Sequence, residues 1–132
     1  MRVVSDADVI IHLSKLERLS LLHLLYGKVS IPEYVKNEIT SKESGDIRNA
    51  LGSYLIVHTT AGEKADEIAR LHGIYIGEAH VKALGETMRP CLILSNERKV
   101  RKAAKEEGFE VAGTIGVILR AAKEDKISLS SK

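Results

Sequence analysis

Arg2-Val3-Val4-Ser5-Asp6-Ala7-Asp8-Val9-Ile10-Ile11 begins with a short apolar run, meets an acid at Asp6, and turns apolar again from Val9. A run of this length reads as a strand over 2–6, and the residues from 8 onward read as a helix that Asp6 or Asp8 can cap. A second stretch repeats the pattern: Cys91-Leu92-Ile93-Leu94-Ser95 reads as a strand, with Glu97 just beyond it. Both acids then leave a sheet at its carboxyl edge, which is where open α/β sheets bind ligands.

Working outward, strand-length apolar runs alternate with segments of helical period, the pattern of α/β architecture built on a parallel sheet. Strands are predicted over 2–6, 28–31, 54–58, 91–95 and 110–112, giving a central parallel sheet of about five strands flanked by helices as an α/β/α sandwich. Leu13, Leu16, Leu19, Leu22 and Leu25 recur at spacing three, so 8–26 reads as one or two helices whose leucine stripe is either core or a dimer face. Pro32 is expected to start the next helix, with Val35 and Ile39 facing inward and Glu38 beside them. Ser41 to Asp46 reads as an exposed loop, followed by a short helix to about Leu51. Ala65, Ile68 and Leu71 mark a helix ended by Gly73, and Ala79, Ala83 and Leu84 mark another that starts near Gly77-Glu78. A further helix over 97–107 ends at Gly108, and the last opens at Thr114, read as its N-cap.

The 132 residues fit one domain, 1–132, with enough chain to bury a core without disulfides. Hydrophobic residues at 44% and charged residues at 29% exclude a disordered chain. No apolar run reaches the roughly 18 residues of a membrane span, and no signal peptide is read at the N-terminus, so a cytoplasmic location away from membranes is expected. The single Cys91 reads as a small hydrophobe within its strand. A net charge of +2 does not by itself imply a nucleic-acid partner, and with 4% aromatic residues and no Trp no broad base-stacking platform is expected. Any such partner would be held through phosphates.

Four acids stand out: Asp6, Glu38, Glu78 and Glu97. Each falls where a strand or helix delivers it to one end of the sheet. Magnesium and manganese take hard oxygen ligands, a few of them from protein carboxylates, so acids converging from separate elements suit them. Two carboxylates about 4 Å apart repel by about 4 kcal/mol at an effective dielectric near 20, a cost that a cation or protonation relieves. Singly, each has a plainer reading. Glu78 and Glu97 fall in first turns of helices, where acids are favoured, Glu38 can be a solvated helix residue, and Asp6 can be a cap. Capping does not explain acids beyond two core strands with more on the intervening helices. The five histidines lack the paired spacing of zinc sites, His80 beside Glu78 being the one of interest, and neither a phosphate-binding Gly loop nor a Ser-His-Asp set is present.

In order and spacing, the motifs resemble those of PIN-domain proteins over nearly the whole chain, and in particular the VapC-type toxin branch paired with small antitoxins. Val3 to Ile11 resembles the family's first strand and acid, with Asp8 in the second polar place. Ile31-Pro32-Glu33-Tyr34-Val35-Lys36-Asn37-Glu38-Ile39 resembles "IPxxVxxEI", Ile76-Gly77-Glu78-Ala79-His80 resembles "GExEA", and Leu94-Ser95-Asn96-Glu97-Arg98-Lys99 resembles "LTNDRK". Gly113 to Leu119 resembles the closing helix. The chain departs from the many relatives with Asp at the third and fourth acidic places, carrying Glu78 and Glu97 instead.

The resemblance implies a ribonuclease hydrolysing RNA phosphodiesters with Mg2+ or Mn2+. Asp6, Glu78 and Glu97 would be metal ligands, Glu38 would ligate or orient water, and Asp8, Ser95 and Asn96 would support them. It also implies an antitoxin partner and a homodimer. Arg98, Arg101, Lys102 and Lys105 form a basic stripe after Glu97 that would meet RNA phosphates, the plainer reading being a solvated helix face. Two alternatives are a catalytically weak PIN-like module that binds RNA or protein, and a phosphoacceptor receiver domain. The receiver reading is disfavoured by the placement of its acidic pair and late-strand Lys.

Overall fold

The computed structural model describes residues 2–42, 44–59 and 62–127, so Glu43 of the polar loop lies outside the described residues. Five strands, β1 (Arg2–Ser5), β2 (Val29–Pro32), β3 (Leu55–His58), β4 (Cys91–Leu94) and β5 (Glu110–Ala112), form one parallel sheet in the order β3-β2-β1-β4-β5. All five agree with the predicted strands to within a residue or two. Eight helices are described: α1 (Ala7–Lys15), α2 (Leu21–Tyr26), α3 (Glu33–Thr40), α4 (Gly45–Leu51), α5 (Gly62–His72), α6 (Ile76–Thr87), α7 (Arg98–Glu106) and α8 (Thr114–Lys123).

The burial of the strands explains the architecture. Every residue of β2 and β4 is buried, as are the last three of β1, so side chains pointing to both faces of the sheet are covered. Parallel sheets need this two-sided cover, because their crossover connections lay helices on the faces. Val3, Val4, Val29, Ile31, Leu92 and Ile93 form the centre of the main core, while Ala65, Ile68, Ala79, Ala83 and Val100 form a smaller cluster under α5, α6 and α7. Cys91 is buried, its Sγ 3.5 Å from the Gly85 carbonyl, as expected of a packing residue.

The strand order places the chain's reversal between β1 and β4. From β1 the sheet grows one way through β2 and β3, and β4 returns to the other side of β1 before β5 extends it. Val3 pairs with Leu92 and Val4 with Ile93, and the Asp6 N–H donates to the Leu94 carbonyl at 3.0 Å. Segments 6–8 and 95–97 therefore leave adjacent strand ends at the point where ligand crevices form in open α/β sheets.

Several local expectations are corrected. Thr114 is the first residue of α8 and not its cap; Gly113 occupies the cap position. The missing cap is supplied across the loop, since Asn96 Oδ1 accepts from the Thr114 N–H at 2.7 Å and Asn96 Nδ2 donates to Thr114 Oγ1 at 2.9 Å. Pro32 is still in β2, paired with His58, and α3 begins one residue later. Glu97 is the cap residue of α7, but its side chain makes no capping bond. The leucine stripe is broken after Lys15. Leu13, Leu19 and Leu22 enter the core while Leu16, at the C-cap of α1, is 53% exposed. Leu71 is 74% exposed because it lies about 120° round α5 from Ala65, whereas Ile68 and Ala69 lie close to its line.

Sequence reading also passed over Lys82. It is wholly buried on α6, with Nζ against Glu107 and 3.6 Å from Glu86, which Lys64 also pairs at 2.9 Å. Burial pushes the Lys82 ammonium below its ordinary pKa, and the neighbouring carboxylate of Glu86 opposes that shift. A buried cation persists only where such partners offset its desolvation.

Candidate functional site

Beyond the ends of β1 and β4 lies a cleft of about 360 Å³. Asp6, Asp8, Glu38, Glu78 and Glu97 all line it, with Asn96 and Tyr75, and no Lys or Arg is among the lining residues. Five carboxylates from five segments meet there: the end of β1, the first turn of α1, the last turn of α3, the first turn of α6 and the segment after β4.

Asp6 sits deepest, 4% exposed. Its Oδ1 accepts from the Val9 N–H at 2.9 Å, so this acid does cap α1. Capping does not make it comfortable. Burial pushes its carboxyl up from the ordinary value of 3.8 to about 6, against the hydrogen bonds from Val9 and Ser95, and the charges of Asp8 and Glu78 add to the rise. Glu78 is raised too, first by burial and then by Glu97, Glu38 and Asp8, against a hydrogen bond from Tyr75. That bond is donated by the Tyr75 N–H to Glu78 Oε2 at 3.2 Å, a first-turn capping contact of the kind the plainer reading predicts. Glu38 is raised by burial and by Asp8.

The supporting residues divide. Ser95 is fully buried outside the cleft lining, where its Oγ accepts from the Glu97 N–H at 3.1 Å. Asn96 is a junction: besides holding Thr114, its Nδ2 lies 3.0 Å from His12 Nδ1 and 3.4 Å from Asp8 Oδ2. Asp8 itself faces the cleft and is exposed, one turn from His12 at 3.8 Å. The basic stripe is near the site without entering it. On α7, Val100, Ala103 and Ala104 are buried, so Arg98, Lys102 and Lys105 are exposed on the opposite side, with Arg101 half-buried against Gly113.

Sequence reading missed His12, Tyr34 and Tyr75. The spacing of Asp8 and His12, one helical turn apart, was the available signal for the first. The tyrosines come together only through tertiary packing, described below. His80, singled out beside Glu78, stacks on Tyr34 with ring centroids 5.0 Å apart, and burial holds its imidazole below the ordinary pKa.

The donor set fits a hard divalent cation. It is all oxygen, its charges repel one another, and the protein provides no counter-cation in the lining. Among the described residues, no three His, Cys, Asp or Glu side chains gather closely enough to hold an ion as they stand. Carboxylates with no cation between them repel, and one oxygen of each of Asp6 and Glu78 accepts from a backbone N–H.

Comparison with known proteins bears on the fold and the family. The crystal structure of PAE2754 from Pyrobaculum aerophilum has a similar fold, with a TM-score of 0.71 at 13% identity, over 93% of this chain and 98% of that one. No curated protein matches. Among the described residues no helix is long and apolar enough to cross a membrane. A family model described as "DUF3368: PIN domain" matches residues 2–132, nearly the full length, and the chain belongs to that PIN-domain family.

Proposed function

We propose that this PIN domain is a divalent-metal-dependent ribonuclease with its reaction centre in the acidic cleft. The observation that carries the reading is five carboxylates at the switch point with no cationic side chain lining the cleft, the most buried of them held to about pKa 6. Asp6, Glu78 and Glu97 would hold Mg2+ or Mn2+. A bound ion of this kind supplies Lewis-acid activation of water and neutralises charge building on the phosphoryl oxygens. Glu38, whose carboxyl burial and Asp8 push above its ordinary pKa, would ligate the ion or orient the attacking water. Asp8 adds negative charge at the mouth, and Asn96 ties it to His12 and to the start of α8. Ser95 orients the segment that carries Glu97.

Phosphates of the strand are assigned to the exposed face of α7. Reversing Arg98 and Lys102 to Glu is expected to weaken binding of single-stranded RNA and to make the negative slope of log affinity against log salt shallower by about 1.4, since each lost phosphate contact removes about 0.7. Titration over a range of salt concentrations checks this, and an unchanged slope removes α7 from the interface.

Metal removal tests the main reading. RNA incubated with the protein should be cleaved in manganese or magnesium and left intact in EDTA, with activity restored when the metal is returned. A specific observation favours a second reading, a catalytically weak PIN module that binds RNA or protein: Glu78 is committed to the Tyr75 N–H, and the acids are spread. RNA binding without cleavage in either metal selects that reading. A toxin role would add a small antitoxin whose arginine, offered to these carboxylates, replaces the cation by a charge-assisted pair.

A further inference from the structure

The lining of the acidic cleft includes one aromatic ring, backed by others. Tyr75, the residue before α6, lines the cleft and remains 54% exposed. Its hydroxyl is 2.9 Å from that of Tyr34 on α3, and the two rings meet edge to face with centroids 6.2 Å apart. His80, in the second turn of α6, stacks nearly parallel on the Tyr34 ring, with 18° between the ring planes. Tyr75 thus lines the cleft with Glu38 and Glu78, while Tyr34 contacts Tyr75 and His80 stacks on Tyr34.

This arrangement exceeds what packing α3 against α6 requires. A ring recruited for packing alone is driven to bury its faces, yet Tyr75 keeps about half its surface in water while its hydroxyl is fixed by a partner. The backbone beside it is pared to match: a Cβ on Gly77 would come within 2.9 Å of both tyrosine rings and 3.0 Å of Glu38 Oε1. With any larger residue the rings and the carboxylate could not keep this arrangement unchanged. An exposed aromatic face held rigid beside a site for a phosphodiester has the chemistry to receive a nucleobase, since stacking recognises the π-face of any base and carries no charge into an acidic cleft.

We infer that Tyr75, braced by Tyr34 and His80, is the stacking platform for an unpaired base next to the phosphate held at the cleft. This deepens the nuclease reading and rests on it. Tyr75 acts on the base and not on the reacting atoms, so it is a specificity determinant and sets a preference for single strands, in which a base is free to leave its own stack.

The test is binding of a fluorescein-labelled single-stranded RNA, and of the same strand made abasic, to wild type, Tyr75→Ala and Tyr75→Phe in EDTA, where metal-dependent cleavage cannot consume the probe. Tyr75→Ala is expected to weaken binding of the RNA roughly 5- to 150-fold, the effect of losing one aromatic stack. It should leave the abasic strand and the salt slope unchanged, and Tyr75→Phe, which keeps the ring and loses the hydroxyl bond to Tyr34, should bind close to wild type. Equal affinity of wild type and Tyr75→Ala for the RNA overturns the inference, as does an equal loss on both strands, which marks a folding effect. Because cleavage does not enter this readout, a stacking defect without metal-dependent cleavage counts against the nuclease alone, and cleavage without a stacking defect counts against the platform alone.

Discussion

Replacing Asp6 with Asn is expected to lower metal-dependent RNA cleavage by about a thousandfold or more, the effect of withdrawing several kcal/mol of charge stabilisation from the reacting phosphate. The prediction is sharp because Asn is a good N-cap. The Val9 N–H, which Asp6 Oδ1 now accepts at 2.9 Å, keeps an oxygen acceptor in the variant, so α1 retains its start. What the variant loses is the negative charge of the deepest carboxylate in the cleft. Cleavage rates in saturating manganese, with circular dichroism to verify the fold, check it. Wild-type activity in a folded Asp6→Asn protein would remove Asp6 from the centre of the site.

The same substitution should make the metal-free protein more stable. For wild type, the Asp6 carboxyl titrates near 3.8 when unfolded and at about 6 when folded, because burial penalises its charge. Between those values the folded chain binds the proton more tightly than the unfolded chain, so stability falls as pH rises from about 4 through 6 and then levels. A shift of this size corresponds to about 3 kcal/mol lost by neutral pH. Asp6→Asn cannot ionise, so in EDTA its stability at pH 7 should exceed wild type by up to about that amount, with the difference vanishing below pH 4. Denaturant unfolding at a series of pH values measures this directly. Magnesium should narrow the gap at neutral pH by binding the folded wild type, and that binding should tighten as pH rises because a ligand must be deprotonated to hold the ion. Parallel stability curves for the two proteins would show that Asp6 is not the strained group. Lower activity together with higher metal-free stability in Asp6→Asn would be a familiar trade between stability and activity.

The elements were legible because their signals are local. Val3-Val4 and Leu92-Ile93-Leu94 are apolar on successive residues, which only a strand buried on both faces tolerates, and their flanking helices carry periodic apolar residues. Errors cluster at helix ends. Thr114 has the right chemistry for a cap, yet its neighbour takes the position because Asn96, eighteen residues back, reaches the first N–H of α8. Leu71 and Leu16 match their periods and still point to water, since period alone does not say which side of a helix meets the sheet. Lys82 carries no local sign of its burial, because its partner Glu107 lies beyond the next helix.

The acids divide in the same way. Their residue types, and the positions of Asp6 and Glu97 after apolar strands, follow from the chain itself, because a strand end is a local event. That β1 and β4 are neighbours, with the sheet reversing between them, is a property of pairing between segments nearly ninety residues apart. Only that pairing brings Asp8 and Asn96 within 3.4 Å, and only the packing of α3 on α6 lays Tyr34 against Tyr75 and His80. By itself, then, the sequence determined the alternating α/β pattern and the supply of carboxylates. The tertiary structure decided that five of them share one cleft with no cationic side chain in its lining and with Tyr75 on its wall. Hydrophobic burial is what joins those segments: it is proportional to area and indifferent to distance along the chain, so the neighbours it creates leave no local mark.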